Sequence, residues 1–253
     1  MDKKHSLILR LNSVLQSWGS TSNFKVRETN REPTKSGVIG LICAAMGIKR
    51  GEGKELIDKL SKLDMVVCVL REGELLKDFV TVAAKKIGNP KPDKNRLLLD
   101  KHYLSGADFL VGLSGSKELL DTIANALEDP QFMLFLGRKC CIPSEPILFS
   151  RTEEETLMPM LLEKVKQLLL EEAKQLLLEK AKKLLLKKTE QLLLEEAKQL
   201  LPSNVRMVAD IDLCPTERTT TRWYQRDLPV MFTSDKRFYN NRQVGNFFYP
   251  LER

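Results

Sequence analysis

Lys101, His102 and Tyr103 follow one another in the sequence and are the residues whose types best suit acid–base chemistry. Metal-free cleavage of RNA needs a base near the 2′-hydroxyl and a cation or an acid near the scissile phosphate, and these residue types can fill those roles. In a strand, however, successive side chains point to opposite faces, so His102 and Tyr103 would diverge. We therefore predict a binding role for this group and keep metal-free endoribonuclease activity as the alternative.

A second candidate site lies at Lys35, Ser36 and Gly37, where a helix is predicted to begin. Backbone N–H groups, a hydroxyl and a cation at a helix start together form a site for phosphate. The GxxxxGK[ST] pattern of a P-loop is absent. The alternative is an ordinary helix that is capped by Thr34 or Ser36 and packed through its glycines.

Two further pairs of residues have types that suit contact with RNA. Gln16 and Trp18 follow the end of a predicted strand, where the indole could stack on an unpaired base or be an ordinary part of the core. Arg138 and Lys139 follow a predicted strand and a glycine. There they could contact phosphates and position RNA without selecting its sequence, or they could be solvated surface charges.

The stretch 75–100 is basic and is predicted to be a loop, centred on Asn89-Pro90-Lys91-Pro92. Apolar residues, among them Phe79 and Ile87, are interspersed with its cations. The cations are Lys77, Lys85, Lys86, Lys91, Lys94 and Arg96. This stretch is either a protruding arm or a solvated basic loop.

The composition bounds the function classes. The 253 residues carry a net charge of +7, which suits a polyanionic partner without requiring one. Five Cys, with no CxxC pair, and two His argue against a disulfide framework, a zinc site or any other metal cofactor. No apolar run has the length of a membrane span, and the start of the chain does not resemble a signal peptide. We expect a soluble, cytoplasmic protein with no cofactor.

The periodicity of apolar residues predicts alternating strands and helices before residue 150. The expected order is strand, helix, strand, arm, strand, helix and strand, as in a ferredoxin-like domain. The strands are predicted at 6–12, 64–71, 107–113 and 132–136, and the helices at about 34–46 and at 116–128. Short strand-like runs follow Pro202.

Residues 163–201 are a tandem repeat of eight residues that begins EKVKQLLL and EEAKQLLL. Its residue types favour a long helix, which Pro202 ends. Eight residues turn a helix by about 80° beyond two full turns, so the leucine stripe winds around the axis. We interpret the repeat as an expansion that lengthens a surface helix. A partner-binding helix, a helical hairpin and a purely structural coiled-coil scaffold are the alternatives.

Four parts of the chain together resemble the CasD family, the handle-binding subunit of type I-E CRISPR Cascade complexes. They are 7–11 (LILRL) with 15–19 (LQSWG), 33–40 (PTKSGVIG) with 46–48 (MGI), 101–104 (KHYL) with 107–111 (ADFLV), and 136–140 (LGRKC) with Pro143 and Pro146. Weaker similarity covers 78–82 and the region from Arg226 to Arg242. The leucine-rich repeat departs from the family, which has a short helical segment there.

The resemblance implies an α+β fold with a ferredoxin-like (RAMP/RRM-like) RNA-binding domain at 1–150. A thumb would protrude at about 75–100, a long inserted helix would occupy 151–202, and a β-rich part at 203–253 would complete the fold. It also implies a non-catalytic subunit that binds the 5′ handle of the guide RNA (crRNA) and caps the filament of backbone subunits. Its partners would be that RNA, the backbone subunit and the large PAM-reading subunit. Target DNA would be met indirectly, and no membrane is involved.

The residues that we expect to contact RNA on this basis are Gln16, Trp18, Lys35, Ser36, Lys101, Tyr103, Arg138 and Lys139. The thumb residues are Lys77, Phe79, Lys85, Lys86 and Arg96.

Overall fold

A computed structural model describes residues 5–20, 25–83, 96–153, 156–183, 199–200, 202–232 and 237–250. The strands are β1 (His5–Asn12), β2 (Leu15–Gln16), β3 (Val26–Arg27), β4 (Asp64–Arg71), β5 (Glu74–Ala83), β6 (Arg96–Ser105), β7 (Asp108–Gly115), β8 (Leu148–Glu153), β9 (Asn204–Asp210), β10 (Thr219–Phe232) and β11 (Arg237–Pro250). The helices are α1 (Lys35–Ala45), α2 (Lys54–Ser61), α3 (Lys117–Glu128) and α4 (Leu157–Lys183), with a short 3-10 helix at Ile211–Leu213.

Seven strands form one antiparallel sheet in the order β10-β11-β9-β4-β7-β1-β8. The C-terminal strands therefore extend the sheet that the N-terminal part begins, with Val66 of β4 opposite Ala209 of β9. β4 and β7 are near-continuous apolar runs, because both of their faces are buried. The mixed α+β class predicted from the sequence is confirmed.

Each face of this sheet carries its own hydrophobic core. On one face Leu7, Leu9 and Leu11 of β1 pack with residues of α1, α2 and α3. On the other face Ile8, together with Val66, Cys68 and Leu110 of the neighbouring strands, packs beneath α4. Gly112 permits this approach, since a Cβ there would lie 2.6 Å from Leu157 Cδ1 of α4. The odd and even residues of β1 thus serve two different cores.

The first turns of α4 are part of the protein interior. They contribute Leu157, Met160, Leu161, Val165 and Leu168 to the second core. The predicted long helix is therefore present as far as residue 183, and most of the remaining repeat lies outside the described residues. The first repeat unit is also more than a surface extension, because Val165 and Leu168 face the sheet.

Residues 132–136 were predicted to be a strand, and that prediction was wrong. The edge position beside β1 belongs to β8 instead. Gln131 and Phe132 donate their backbone N–H groups to Ala45 and Ala44 at the end of α1, and Leu136 donates to Cys141 in a tight turn. Because these backbone N–H groups are already paired, they are not available for hydrogen bonds to a neighbouring strand.

The prediction of a loop over 75–100 was also wrong where the structure describes it. β5 and β6 pair through ten residues, from Glu74 opposite Ser105 to Ala83 opposite Arg96. The charges along β5 resemble those of a loop because β5 is a solvent-exposed strand, which does not need alternating apolar residues. The centre of the predicted arm, 84–95, lies outside the described residues.

No helix in the described ranges is long and apolar enough to cross a bilayer. Over the same ranges, no group of three or more His, Cys, Asp or Glu side chains could hold a metal ion.

Candidate nucleic-acid interface

The turn at 136–141 presents Arg138 and Lys139 and is held by backbone hydrogen bonds. Ser17 donates to Leu136 at 3.1 Å, and Cys141 donates to the Arg138 carbonyl at 2.8 Å. Gly137 has φ +98°, and a Cβ at that position would collide with the Ser17 carbonyl. Only glycine therefore allows the turn to lie against residue 17.

Arg138 is fixed by two contacts. Its guanidinium lies 4.5 Å from the centre of the Tyr103 ring, and its Nη2 donates to the Arg27 carbonyl at 2.7 Å. Cation–π contact and the hydrogen bond together orient a charge that remains half-exposed. Lys139, next in the turn, is exposed. The turn thus offers one oriented cation and one solvated cation.

Tyr103 acts as the support of this cation. Its side chain is buried, and the Cys140 Sγ lies 3.6 Å from its hydroxyl. Burial, and next the Cys140 hydrogen bond, raise the pKa of Tyr103, while Arg138 opposes the change. The phenol therefore remains protonated at neutral pH and provides a neutral platform for Arg138.

Lys101 lies close to the same group of residues. It pairs with Arg27 of β3 in the parallel register of β3 and β6. Since Lys101 and Tyr103 are two residues apart on one strand, their side chains share a face, whereas His102 points to the other. The structure thus brings Lys101, Tyr103, Arg138 and the exposed Arg27 together.

The predicted phosphate site at α1 already has a protein partner. Thr34 caps the helix by accepting from Gly37 N at 3.2 Å, as expected. The Lys35 backbone N–H donates to the Asp227 carboxylate at 2.8 Å, and the Lys35 ammonium lies 3.0 Å from Asp210. A carboxylate of the chain therefore occupies the position that a phosphate would take. Ser36, half-buried, remains at the surface of a cleft beside this helix.

Arg242 completes this charge cluster and joins the C-terminal hairpin to α1. It donates to Asp227 at 2.6 Å and 3.0 Å and to Asp210 at 2.6 Å. These carboxylates raise the pKa of Arg242 against the opposing and largest effect of its burial. Lys35 and Arg242 thus neutralise a nearly enclosed pair of carboxylates.

Gln16 and Trp18 lie inside the protein, so the core alternative describes the position of Trp18. The indole is 1% exposed and donates to the Gln16 side-chain oxygen at 3.0 Å. Gln16 donates in turn to the carbonyls of Leu11 and Ala107, at 2.9 and 2.8 Å. A ring enclosed to this degree has no free face for a base, so this pair positions the ends of strands and α1.

Of the predicted thumb residues, Lys77 forms an ion pair with Asp100 at 2.9 Å, and Phe79 is 59% exposed. Arg96 begins β6. Lys85 and Lys86 lie outside the described residues.

A cleft of about 510 Å³ lies between α1 and residues 132–138, and we call it the α1 cleft. The walls of this cleft and most of the charged residues at its rim were not predicted from the sequence. Exposed apolar side chains of Phe132 and Met133 line it, and its charged residues are Arg27, Glu28, Lys49, Arg50, Glu52 and Arg138. The adjacent cations Lys49 and Arg50, just after the turn at Gly47, were the one available signal in the sequence.

α4 covers part of the second face of the sheet. In RRM-type modules, bases stack on aromatic side chains of an open sheet face. Here α4 covers the corresponding surface at Ile8, Val66 and Leu110. Arg27, Lys49, Arg50, Arg138 and Lys139 lie on the other side of the sheet, around the 136–141 turn and the α1 cleft.

Comparison with known proteins identifies relatives of this chain. A family model described as CRISPR-associated protein (Cas_Cas5) matches residues 6–181. The CRISPR system Cascade subunit CasD of Escherichia coli (strain K12) is 26% identical over 168 residues, which cover 62% of this chain and 75% of that protein.

Two solved structures share the fold over nearly the whole chain. A chain of a CRISPR RNA-guided surveillance complex matches with a TM-score of 0.65 and 27% identity, covering 98% of this chain and 90% of its own. A crystal structure of a Cas protein matches with a TM-score of 0.59 and 28% identity, covering 97% and 95%.

Proposed function

Because the chain belongs to the Cas5 family of CRISPR-associated proteins, we propose that it is a non-catalytic subunit of a type I-E Cascade complex. In that complex it binds the 5′ handle of the guide RNA and caps the filament of backbone subunits in antiviral defence. The observation that carries this proposal is the grouping of Arg138, Tyr103, Lys101 and Arg27 on one surface. The likeness to Cascade proteins supports the type of complex.

The domain that holds this surface is ferredoxin-like in our proposal. The strand order β8-β1-β7-β4 supports it, with α1 and α2 between β1 and β4 in the sequence and α3 between β7 and β8. All neighbouring pairs in this order are antiparallel, as that fold requires. On this view β9, β10 and β11 complete the same sheet.

The hairpin of β5 and β6 is the thumb in this proposal and contacts the RNA and the neighbouring backbone subunit. Most described side chains of β5 are exposed, among them the apolar side chains of Leu75, Leu76 and Phe79. An exposed strand with such side chains would be an aggregation liability unless a partner covers it. A neighbouring subunit is therefore a reasonable occupant. The large PAM-reading subunit is the third partner, and target DNA is met through base pairing with the guide.

The handle is bound through its phosphates and through unstacked bases. An oriented guanidinium at Arg138 and the nearby cations can fix the path of a strand without selecting its sequence. Lys35 contributes to handle binding only indirectly and does not contact the RNA, because its ammonium already pairs with Asp210.

RNA cleavage has less support than binding. Lys101 and Tyr103 share one face of β6, whereas His102 lies on the other face, so the three groups do not converge on one phosphate. Tyr103 supports Arg138 and, with its pKa raised, is a poor source of an ionised base.

The test separates binding from cleavage. Labelled repeat RNA is incubated with the full chain, with and without EDTA, and is analysed by gel shift and by denaturing electrophoresis. We expect a complex with the handle that a scrambled RNA does not form, and intact RNA throughout. Specific cleavage that disappears in His102→Ala would overturn the non-catalytic assignment and favour the endoribonuclease alternative.

A further inference from the structure

Gly40 lies inside α1, yet the packing of the protein does not require a glycine there. A Cβ added to Gly40 would meet no atom within 4 Å, whereas one added to Gly37 would lie 2.8 Å from the Trp18 ring. Apart from proline, glycine is the least favourable residue in a helix interior. The missing side chain leaves open space in the α1 cleft.

The α1 side of the cleft, which we call its floor, carries small residues, and the segment 132–138 on the other side brings apolar side chains to it. Gly37, Gly40 and Ala44 line the floor and recur at three and four residues along α1, so they share one face of the helix. Across from them Phe132 and Met133 are exposed, Met133 by 71%. A volume of about 510 Å³ is within the range of small-ligand sites. The small residues of the floor leave room for a planar apolar group, to which Phe132 and Met133 offer apolar contact.

The rim of the cleft is positively charged. Four cations, Arg27, Lys49, Arg50 and Arg138, face two carboxylates, Glu28 and Glu52. Arg27, Lys49 and Arg50 are exposed, and Arg138 belongs to the oriented group described above. A ligand with a planar apolar group and negatively charged linking groups next to it would match both the floor and the rim.

We propose that the α1 cleft takes one unstacked base of the guide-RNA strand, with the flanking phosphates on the rim cations. The inference rests on the proposed function and adds to it the place where a base is received. A nucleotide in a single strand has the required combination of a flat π-surface and adjacent anionic groups. An acidic, apolar loop of a partner protein is the competing occupant, and the test distinguishes it.

The experiment fills the cleft by placing a larger side chain at position 40 of α1. Gly40→Leu adds a side chain where a Cβ meets no atom within 4 Å and replaces glycine with a strong helix former, so we expect the fold to be retained. Thr122→Leu is the matched control, because it adds the same side chain at an exposed position of α3 that does not line the cleft. The probe is a fluorescein-labelled single-stranded handle RNA and a series of the same RNA with one abasic nucleotide at each position.

One abasic position should weaken binding to the parent protein about tenfold, the usual effect of losing one stacked base. Gly40→Leu should weaken binding of the intact RNA to a similar extent. For this variant, removing the base at that position of the RNA should not weaken binding further. Gly40→Ala should have a smaller effect, and Thr122→Leu none. Thermal unfolding of each variant confirms that it is folded.

The possible results distinguish failure of this inference from failure of the proposed function. If the parent binds the handle but Gly40→Leu binds it equally well, the cleft does not receive a base and the proposed function stands. If the parent binds handle and scrambled RNA alike, the proposed function itself fails. If Gly40→Leu binds RNA normally but no longer enters the reconstituted complex, the occupant is a partner protein and the base assignment is wrong.

Discussion

At the scale of single residues, Arg138 and Lys35 show how partners decide what a cation can do. The guanidinium of Arg138 contacts an uncharged ring and a backbone carbonyl, so its charge remains available to an anion. The ammonium of Lys35 is 5% exposed and lies 3.0 Å from Asp210, so its charge is largely neutralised within the protein. One is therefore suited to binding and the other to stability.

Replacing these two cations should separate the two effects. Arg138→Ala should weaken handle binding and lower the slope of log affinity against log salt by about 0.7, the value for one phosphate contact on a single strand. Lys35→Ala should leave that slope unchanged and lower the free energy of unfolding by about 1–3 kcal/mol, since it leaves a half-buried carboxylate with fewer partners. Fluorescence anisotropy at several salt concentrations and urea unfolding measure the two quantities.

Lys117→Ala is the control for this comparison, because it removes an exposed charge at the start of α3. A flattened salt slope in Lys35→Ala together with an unchanged one in Arg138→Ala would reverse our assignment.

At the scale of elements, α4 combines two kinds of surface in one helix. Its 27 residues span about 40 Å. The N-terminal half packs on the sheet, and Glu172 still reaches Arg10 of β1 at 3.4 Å. Among the α4 side chains that the structure describes, Ala173 is the last buried one, and Leu176 and Leu178 are exposed. The eight-residue period explains this change, because each unit rotates its leucines by about 80° away from the sheet.

Replacing two leucines of α4 by alanine, one at a time, should lower the free energy of unfolding by unequal amounts. Leu161 is fully buried, so Leu161→Ala should lower the free energy of unfolding by about 2–5 kcal/mol. Leu178 is 46% exposed, so Leu178→Ala should cost under about 1 kcal/mol. Urea unfolding followed by circular dichroism measures both. Equal costs would mean that the helix does not contribute to the core as described.

At the scale of the whole molecule, different elements pack on the two faces of the sheet. α4 closes one face, whereas the 136–141 turn and the α1 cleft lie on the side of α1 and α3. The cluster of Lys35, Asp210, Asp227 and Arg242 fastens the C-terminal hairpin to α1. The α1 cleft and the described part of the repeat therefore lie on opposite sides of the sheet.

We expect on this basis that the repeat can be shortened without loss of the proposed function. Deleting residues 179–194 removes two whole units and keeps every α4 side chain seen to pack on the sheet, together with Pro202. We expect the shortened subunit to bind the guide handle and to enter the reconstituted complex like the parent. Size-exclusion chromatography with the partner subunits and guide RNA is the measurement. Loss of assembly by a variant that remains folded would make the repeat a genuine interaction element.

The sequence alone determined the features whose cause is local. Alternating apolar and polar residues predicted β1, and apolar runs predicted β4 and β7, because a strand buried on both faces has few polar residues. Thr34 or Ser36 was predicted to cap the start of α1, and the Thr34 hydroxyl does so by accepting from the helix three residues later. The order and types of residues in four segments also predicted the family, which the comparisons confirmed.

Only the tertiary structure decided which side chains are free to act. Lys35 and Ser36 looked like a phosphate site, but Asp227, 192 residues further on, supplies the anion. Trp18 was equally suited to stacking and to the core until its burial was known. The α1 cleft lies between α1 and residues 132–138, and the adjacent cations Lys49 and Arg50 were its one signal in the sequence, because its space is defined by how distant segments pack. Propensity acts over a few residues, whereas charge pairing and cavities depend on contacts between residues far apart in the chain.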